Sequence, residues 1–273
     1  MVLPFDKMHG LGNDFVVLDG LTHPQVAELN LSELAARLCN RRLSVGADGL
    51  IAALPAEQAG YSCRMRIFNA DGSEAQMCGN GIRCLARLLW ERGHIATPVA
   101  NILTAAGERR VEITLKGRTF EAATVDMGIP RLREPLTAKV EVEGESFEIT
   151  PLSVGNPHGV IFVNDVNDVP VEKLGPAIEN CALFPEGANI EFAAPVPALR
   201  IITVRTWERG VGETPACGTG ACAVAAAALA CKDMELPVTV MLRGGALKID
   251  LSESSHLMMT GPAVFSYPGT VEL

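Results

Sequence analysis

Phe68-Asn69-Ala70-Asp71-Gly72-Ser73-Glu74-Ala75-Gln76-Met77-Cys78-Gly79-Asn80-Gly81 returns later in the chain as Trp207-Glu208-Arg209-Gly210-Val211-Gly212-Glu213-Thr214-Pro215-Ala216-Cys217-Gly218-Thr219-Gly220. An aromatic residue, a glutamate, the cysteine and two glycines stay in step at an offset of 139 residues (78 to 217), close to half of the 273-residue length. If the halves fold alike and face each other, two Cys-Gly-X-Gly loops point at one ligand from opposite sides. Two thiols flanking one carbon form the geometry needed to take a proton from one face and return it to the other.

The match extends outward from the cysteine loops. Leu11-Gly12-Asn13-Asp14-Phe15-Val16-Val17 resembles Val154-Gly155-Asn156-Pro157-His158-Gly159-Val160-Ile161 at an offset of 143, and Gly46-Ala47-Asp48-Gly49-Leu50-Ile51 resembles Gly187-Ala188-Asn189-Ile190-Glu191-Phe192 at 141. Three matched segments in the same order make an internal duplication the best reading, with the drift in offset reflecting loop length. Apolar or alternating runs at 16–19, 64–69, 111–116, 119–125, 160–164, 199–207, 238–242, 247–251 and 256–259 predict strands. Helical spacing covers 31–41, with Ser32 offering a cap, and 169–180; a helix also follows each cysteine loop, over 81–92 and 218–232. These last two are apolar on most faces, which predicts helices wrapped by strands.

The expected fold class is α/β (α+β): two pseudo-symmetric domains from an internal duplication, each a curved sheet or barrel around a central helix, with the active site in the cleft between them. The N-terminal half is expected over residues 1–122, which the C-terminal strand 263–273 can join, and the C-terminal half over 123–262. Gly128 and Pro130 interrupt the pattern near the boundary.

Composition narrows the function classes. With 48% apolar and 20% charged residues the chain has the make-up of an ordinary globular protein, and a net charge of −9 argues against nucleic acid or an anionic membrane as partner. Met1–Lys7 shows no basic region followed by an apolar run, and the most apolar stretch, Ala221–Cys231, falls far short of the roughly 20 residues that span a bilayer. A cytoplasmic location is expected. Eight cysteines (39, 63, 78, 84, 181, 217, 222 and 231) include no Cys-x-x-Cys pair, and no histidine stands at zinc-finger spacing from them. Neither structural disulfides nor a metal is expected.

In both loops Cys-Gly-X-Gly runs directly into a helix. A helix N-terminus carries unpaired N–H groups and partial positive charge, which suits a carboxylate and lowers a thiol's pKa from about 8.5 toward neutrality. Taken singly, each cysteine reads more simply as a small buried hydrophobe at a tight turn. The same context twice in register favours function for Cys78 and Cys217; the other six cysteines lack it.

Met8-His9-Gly10-Leu11-Gly12-Asn13-Asp14-Phe15, the Asn69–Glu74 segment leading to Cys78-Gly79-Asn80-Gly81, Gly155-Asn156-Pro157-His158, and Glu208-Arg209-Gly210 leading to Ala216–Gly220 together resemble the diaminopimelate epimerase family. The resemblance runs from residue 8 to the Thr260–Ala263 stretch. It implies cofactor-independent interconversion of LL- and meso-2,6-diaminopimelate, a step toward lysine and peptidoglycan, with Cys78 and Cys217 as the two acid/base groups. It further implies supporting roles for His158 and Glu208, and substrate contacts from Asn13, Asn69, Asn156, Asn189, Glu208 and Arg209. Backbone N–H groups at Gly79, Asn80, Gly218 and Thr219 would face the substrate carboxylate, and Arg209 would pair with it. Many relatives carry Gln where this chain has Gly49, which bears on the distal end of the substrate. Tyr267 matches a position of homodimer contact. Outside the resemblance, His158 also reads as a turn residue after Pro157, and Glu208 as a surface carboxylate.

Two other readings remain open at this stage: a racemase of another amino acid such as proline or hydroxyproline, and a thiol redox sensor that closes a Cys78–Cys217 disulfide.

Overall fold

Val2–Gly10 (β1) and Asn13–Asp19 (β2) form an antiparallel hairpin joined by Leu11 and Gly12. Both joining residues take positive φ, 56° and 84°, as a tight hairpin turn demands, and Leu11 is an uncommon residue for it. The strain sits next to Asn13, at the end of the sheet where the site residues gather. The computed structural model describes residues 1–273.

The chain then makes helix α1 (Leu31–Leu38), β3 (Gly49–Leu54), β4 (Cys63–Asn69), the short β5 (Glu74–Ala75), α2 (Gly79–Glu91), β6 (Val99–Thr104), β7 (Gly107–Lys116) and β8 (Thr119–Asp126). β3 runs parallel to β2 and antiparallel to β4, and β6 runs parallel to β4. Helix α1 is capped by Asn30, whose side chain accepts from the Glu33 N–H, and not by Ser32; the Ser32 hydroxyl donates to the Gly72 carbonyl instead. The expected continuation of α1 to Arg41 fails because the Asn40 side chain accepts from the N–H groups of Arg42 and Leu43, closing a turn that competes with the helix.

Next come β9 (Arg131–Leu132), β10 (Ala138–Val142), β11 (Glu145–Ser153), β12 (Pro157–Phe162), α3 (Val171–Glu179), β13 (Asn189–Val196), β14 (Ile201–Glu208), β15 (Gly212–Thr214), α4 (Gly218–Cys231), β16 (Val238–Leu242), β17 (Gly245–Leu251) and β18 (Leu257–Gly261). β13 lies parallel to β12 and antiparallel to β14. β14 starts two residues later than the sequence pattern predicts because Pro197–Leu199 form a 3-10 turn closed by Arg200 at φ 53°. The final strand, β19 (Val264–Glu272), pairs antiparallel with β1. The chain is thus mixed α/β and mostly strand, with four α-helices.

Contacts divide it into two units, Met1–Val125 with Gly261–Leu273, and Asp126–Thr260. In the first, Leu3, Phe5, Val16, Leu18, Leu34, Leu38, Leu50 and Phe68 form a core beneath α1. In the second, Ile149, Ile161, Leu174, Ile178, Ile190 and Phe192 do the same beneath α3. Helix α2 packs on β1, β2, β3, β4 and β7, and α4 on β11, β12, β13, β14, β16 and β17. The alanine-rich α4 is buried over Ala221–Ala228, as expected of a helix apolar on every side.

Strand register corrects one of the sequence matches. Gly49 lies opposite Phe15 and Asn69, whereas the residue opposite His158 is Asn189. Gly49 therefore corresponds to Asn189, one residue away from the pairing suggested by Gly46-Ala47-Asp48 and Gly187-Ala188-Asn189. The glycines still share a turn, Gly46 at φ 74° and Gly187 at φ 72°. The first unit has one extra residue between that turn and its strand. Because side chains alternate faces along a strand, this single residue decides what each position points at.

Candidate active site

Cys78 is the N-cap of α2, in extended conformation, so the chain turns from strand-like into helix at the thiol. Its Sγ donates to Asn13 Oδ1 at 3.7 Å, and Asn80 Nδ2 donates to the same oxygen at 3.2 Å. Asn13 is itself fixed from behind: its Nδ2 donates to Asp48 Oδ2 at 2.9 Å, which also accepts the Asp14 N–H. Asn80 accepts from Arg83 Nη2 at 2.8 Å, and Arg83 also donates to the carbonyls of Gly79 and Pro262. Arg83 is fully buried, a guanidinium inside the fold. The expected site residues Asn13, Cys78, Gly79 and Asn80 thus meet in one hydrogen-bonded cluster. Asn69 is tied elsewhere: its Nδ2 donates to Ser73 Oγ at 2.9 Å in the Asp71–Ser73 turn.

Arg41 bridges Asp14 and Asp48, both at 2.6 Å, and the Lys7 ammonium bonds Asp14 and the Gly46 carbonyl. Burial alone would raise the Asp14 carboxyl, but the hydrogen bonds from Arg41 and Lys7 outweigh it and hold the group at about 2. A carboxylate depressed below its usual 3.8 stabilises the fold above that pH and loses its contribution as pH falls toward 2. The expected loss is about 1 kcal/mol after allowing for the exposed Arg41 partner. Acid unfolding followed by circular dichroism should show this drop in the native protein and not in Asp14→Asn.

In the second unit Cys217 occupies the same place at the N-cap of α4. Its Sγ accepts the Gly220 N–H at 3.3 Å and lies 3.5 Å from Thr219 Oγ1. Asn156 Nδ2 donates to Thr219 Oγ1 at 3.4 Å, and Asn156 Oδ1 lies 3.0 Å from His158 Nε2. His158 Nδ1 in turn lies 2.9 Å from Glu191 Oε1, with both side chains fully buried. On the other side, Glu208 accepts from Thr214 Oγ1, and its carboxyl lies near enough to the Cys217 thiol for the charge of one to act on the other.

The helix terminus does not lower the Cys217 thiol as the sequence pattern predicts. Burial, followed by the nearby Glu208 and Glu191 carboxylates, pushes it well above the ordinary range, and the bonds to Thr219 and Gly220 only partly oppose them. Glu208 keeps some surface exposure as a residue, yet its carboxyl is enclosed and burial raises its pKa as well. The thiol and the carboxyl therefore both favour their protonated forms.

Asn189 and Arg209 meet at the edge of this cluster: Asn189 Oδ1 accepts the Arg209 N–H at 2.9 Å, and Arg209 Nη1 donates to the Glu186 carbonyl. Gly218 is the first residue of α4 and is buried. Gly49 cannot carry a side chain without movement, since a Cβ there would lie 2.6 Å from the Phe68 carbonyl oxygen. Tyr267 on β19 is 46% exposed and packs edge-on against Phe5.

Sequence reasoning missed Asp48, Arg83, Thr214 and Glu191. Arg83 and Glu191 carried a signal, each being a charged residue within an apolar run; the other two carried none. The glutamate shared by the two loops is structural. Arg66 clamps Glu74 through two bonds, and Arg205 clamps Glu213 in the same way. Among the other cysteines, burial pushes Cys39 up to about 11, and Cys63 and Cys84 to about 12.

The model of the diaminopimelate epimerase family matches residues 5–133 and 150–266. A diaminopimelate epimerase from Moorella thermoacetica is 45% identical over 281 residues, spanning 98% of this chain and 99% of that protein. One from Desulfitobacterium hafniense is 43% identical over 276 residues, spanning 97% and 96%. Among solved structures, a probable proline racemase from Agrobacterium radiobacter K84 superposes with a TM-score of 0.75 at 18% identity, covering 99% of this chain and 93% of that one, and so shares the fold. With identity above 40% sustained along essentially the full length and the family pattern present in both halves, the chain belongs to the diaminopimelate epimerase family.

Proposed function

We propose that the protein interconverts LL- and meso-2,6-diaminopimelate without a cofactor, using Cys78 and Cys217 as the two acid/base groups at one α-carbon. The observation that carries this reading is the pair of N-cap thiols, each set in its own network of asparagine, threonine or glutamate partners. Family membership supplies the substrate and the place in lysine biosynthesis.

In one direction a thiolate takes the α-proton. The C–H bond breaks, an S–H bond forms, and the electron pair spreads into the adjacent carboxylate. The opposite thiol then gives its proton to the other face and is left as thiolate. The reverse reaction exchanges the two roles. At Cys217 the neighbouring titratable group is Glu208, whose carboxyl accepts from Thr214 and is raised by burial. At Cys78, Asn13 Oδ1 accepts from the thiol and fixes its direction. N–H groups at the starts of α2 and α4 supply positive potential for the substrate carboxylate, where charge builds up in the transition state. Arg209 and the asparagines Asn13, Asn69, Asn156 and Asn189 complete substrate recognition.

Two further elements belong to the same reading. The units are copies from one duplication, supported by the shared Arg–Glu clamps and the paired glycine turns. The protein works as a homodimer with Tyr267 at the contact, supported by that side chain's exposure on β19. A cytoplasmic location is part of the same reading, and no helix is long and apolar enough to cross a membrane.

Incubation with LL-diaminopimelate in D2O, without pyridoxal phosphate, should place deuterium at the inverted α-carbon and build up the meso isomer. Strict dependence on added pyridoxal phosphate, or preferred turnover of proline, overturns the assignment.

A further inference from the structure

We propose that Glu191 is a positioning residue for the Cys217 side of the reaction: it holds His158 as an imidazolium, and His158 orients Asn156 and, through Thr219, the thiol. The inference rests on the epimerase reading above.

The proton at Nε2 follows from the bonds, and the proposal places a second one at Nδ1. Asn156 gives its Nδ2 to Thr219 Oγ1, so its Oδ1 is the atom facing His158 Nε2. An amide oxygen only accepts, and Nε2 must therefore carry a proton. At the other ring nitrogen, Glu191 Oε1 stands 2.9 Å from Nδ1. A carboxylate there accepts a second N–H, which makes the ring cationic and the pair neutral overall. The other charged or titratable groups acting on this cluster are Glu208, on β14, and Cys217, at the start of α4. With its imidazolium so engaged, His158 serves as a fixed donor and not as the base for Cys217.

The first unit forms its strand without a carboxylate at the position that corresponds to Glu191. The strand register makes Ile51 its counterpart in the first unit. Packing agrees: a Cβ at Gly81, in the first turn of α2, would meet the Ile51 methyl at 2.8 Å, and one at Gly220, in the first turn of α4, would meet Glu191 Oε1 at 2.6 Å. One unit thus fills this position with an apolar side chain and the other with a carboxylate. The carboxylate is the less comfortable choice, because Glu191 Oε2 and the cross-strand neighbour Thr206 Oγ1 are both buried without a protein partner. Polar groups buried at that disadvantage are retained where they perform a task.

The test uses the full chain with Glu191→Ile, which installs the residue of the other unit, and Glu191→Gln, which keeps shape and removes charge. Both should keep the native circular dichroism spectrum, and E191I, which leaves the buried His158 ring without its acceptor, should melt below both E191Q and the native protein. kcat should fall about 10- to 100-fold with little change in KM, the range typical of groups that orient a reacting residue, and the pH profile of kcat should change shape. Nitrogen-15 NMR of His158 in the native protein, recorded without substrate, should show both ring nitrogens protonated at pH 7.5, and E191Q should lose one of those protons. Native His158 with a bare ring nitrogen overturns the proposal, as does native turnover with an unaltered pH profile in both variants. Because the NMR readout needs no substrate, failure of the native enzyme to epimerise diaminopimelate counts against the functional reading, while the state of the pair is decided separately. If E191I does not fold, E191Q and the native NMR spectrum still decide.

Discussion

Cys78→Ala and Cys217→Ala are each expected to abolish epimerisation, with kcat down by about 10³-fold or more. General acid–base groups typically contribute 10²–10⁴-fold each, and inversion at one carbon needs a proton taken from one face and a proton given to the other. Removing either thiol removes one of these steps entirely. The remaining thiol can still take and return a proton on its own face. Each variant should therefore wash deuterium from solvent into only one of the two stereoisomers, and the two variants should favour opposite isomers. Chiral chromatography of the products with mass-spectrometric reading of deuterium content checks both statements. A variant that keeps most of its epimerase activity removes that cysteine from the mechanism. The redox-sensor alternative predicts something else, namely normal loss of function on oxidation together with a binding partner that responds to it.

The second large effect is expected at Arg83. Its guanidinium is fully buried and donates to Asn80 Oδ1 and to the carbonyls of Gly79 and Pro262. Arg83→Met keeps much of the volume and withdraws all these donors, leaving buried acceptors short of partners. The expected cost is about 3–5 kcal/mol, the range for deleting one member of a buried charged network, read from the midpoint of urea unfolding at unchanged slope. Activity should fall as well, because Asn80 loses the bond that aims its amide at Asn13, the partner of Cys78. Arg87→Met is the control: it donates to the neighbouring Ala263 carbonyl but also pairs with the part-exposed Glu91, and should cost less.

Much of this site is legible in the sequence because its parts are local. Cys-Gly-X-Gly before an apolar run is enough to place a thiol at a helix N-cap, and both helices start at the glycine that follows the cysteine. The cores are likewise visible as apolar runs. What the sequence hides is register and long-range partnership. The Gly46–Asp48 and Gly187–Asn189 matches are real as turns, yet one extra residue shifts the strand behind them. Asn189 consequently enters the ladder and holds Arg209, while Asp48 stays outside it and holds Asn13. The thiol pKa expectation failed at Cys217 for a related reason. Helix position is a local property, but burial and the Glu208 and Glu191 charges are assembled from distant strands. Position 83 makes the same point, since its counterpart at the 139-residue offset is Cys222; the two helices share their first turn and differ in what anchors the next.

Strand β19 has a consequence for how the molecule is made. β1 is paired with β2 on one side and with β19 on the other, and the backbone bonds between Met1 and Leu273 continue that ladder. During translation β19 leaves the ribosome only after all of Asp126–Thr260 has emerged. The first unit to be synthesised is therefore the second to be completed, and until then one edge of β1 stands open on the nascent chain. An open edge of this kind is a site for mispairing. The emergence of β19, more than the folding of either half, is the event that closes it.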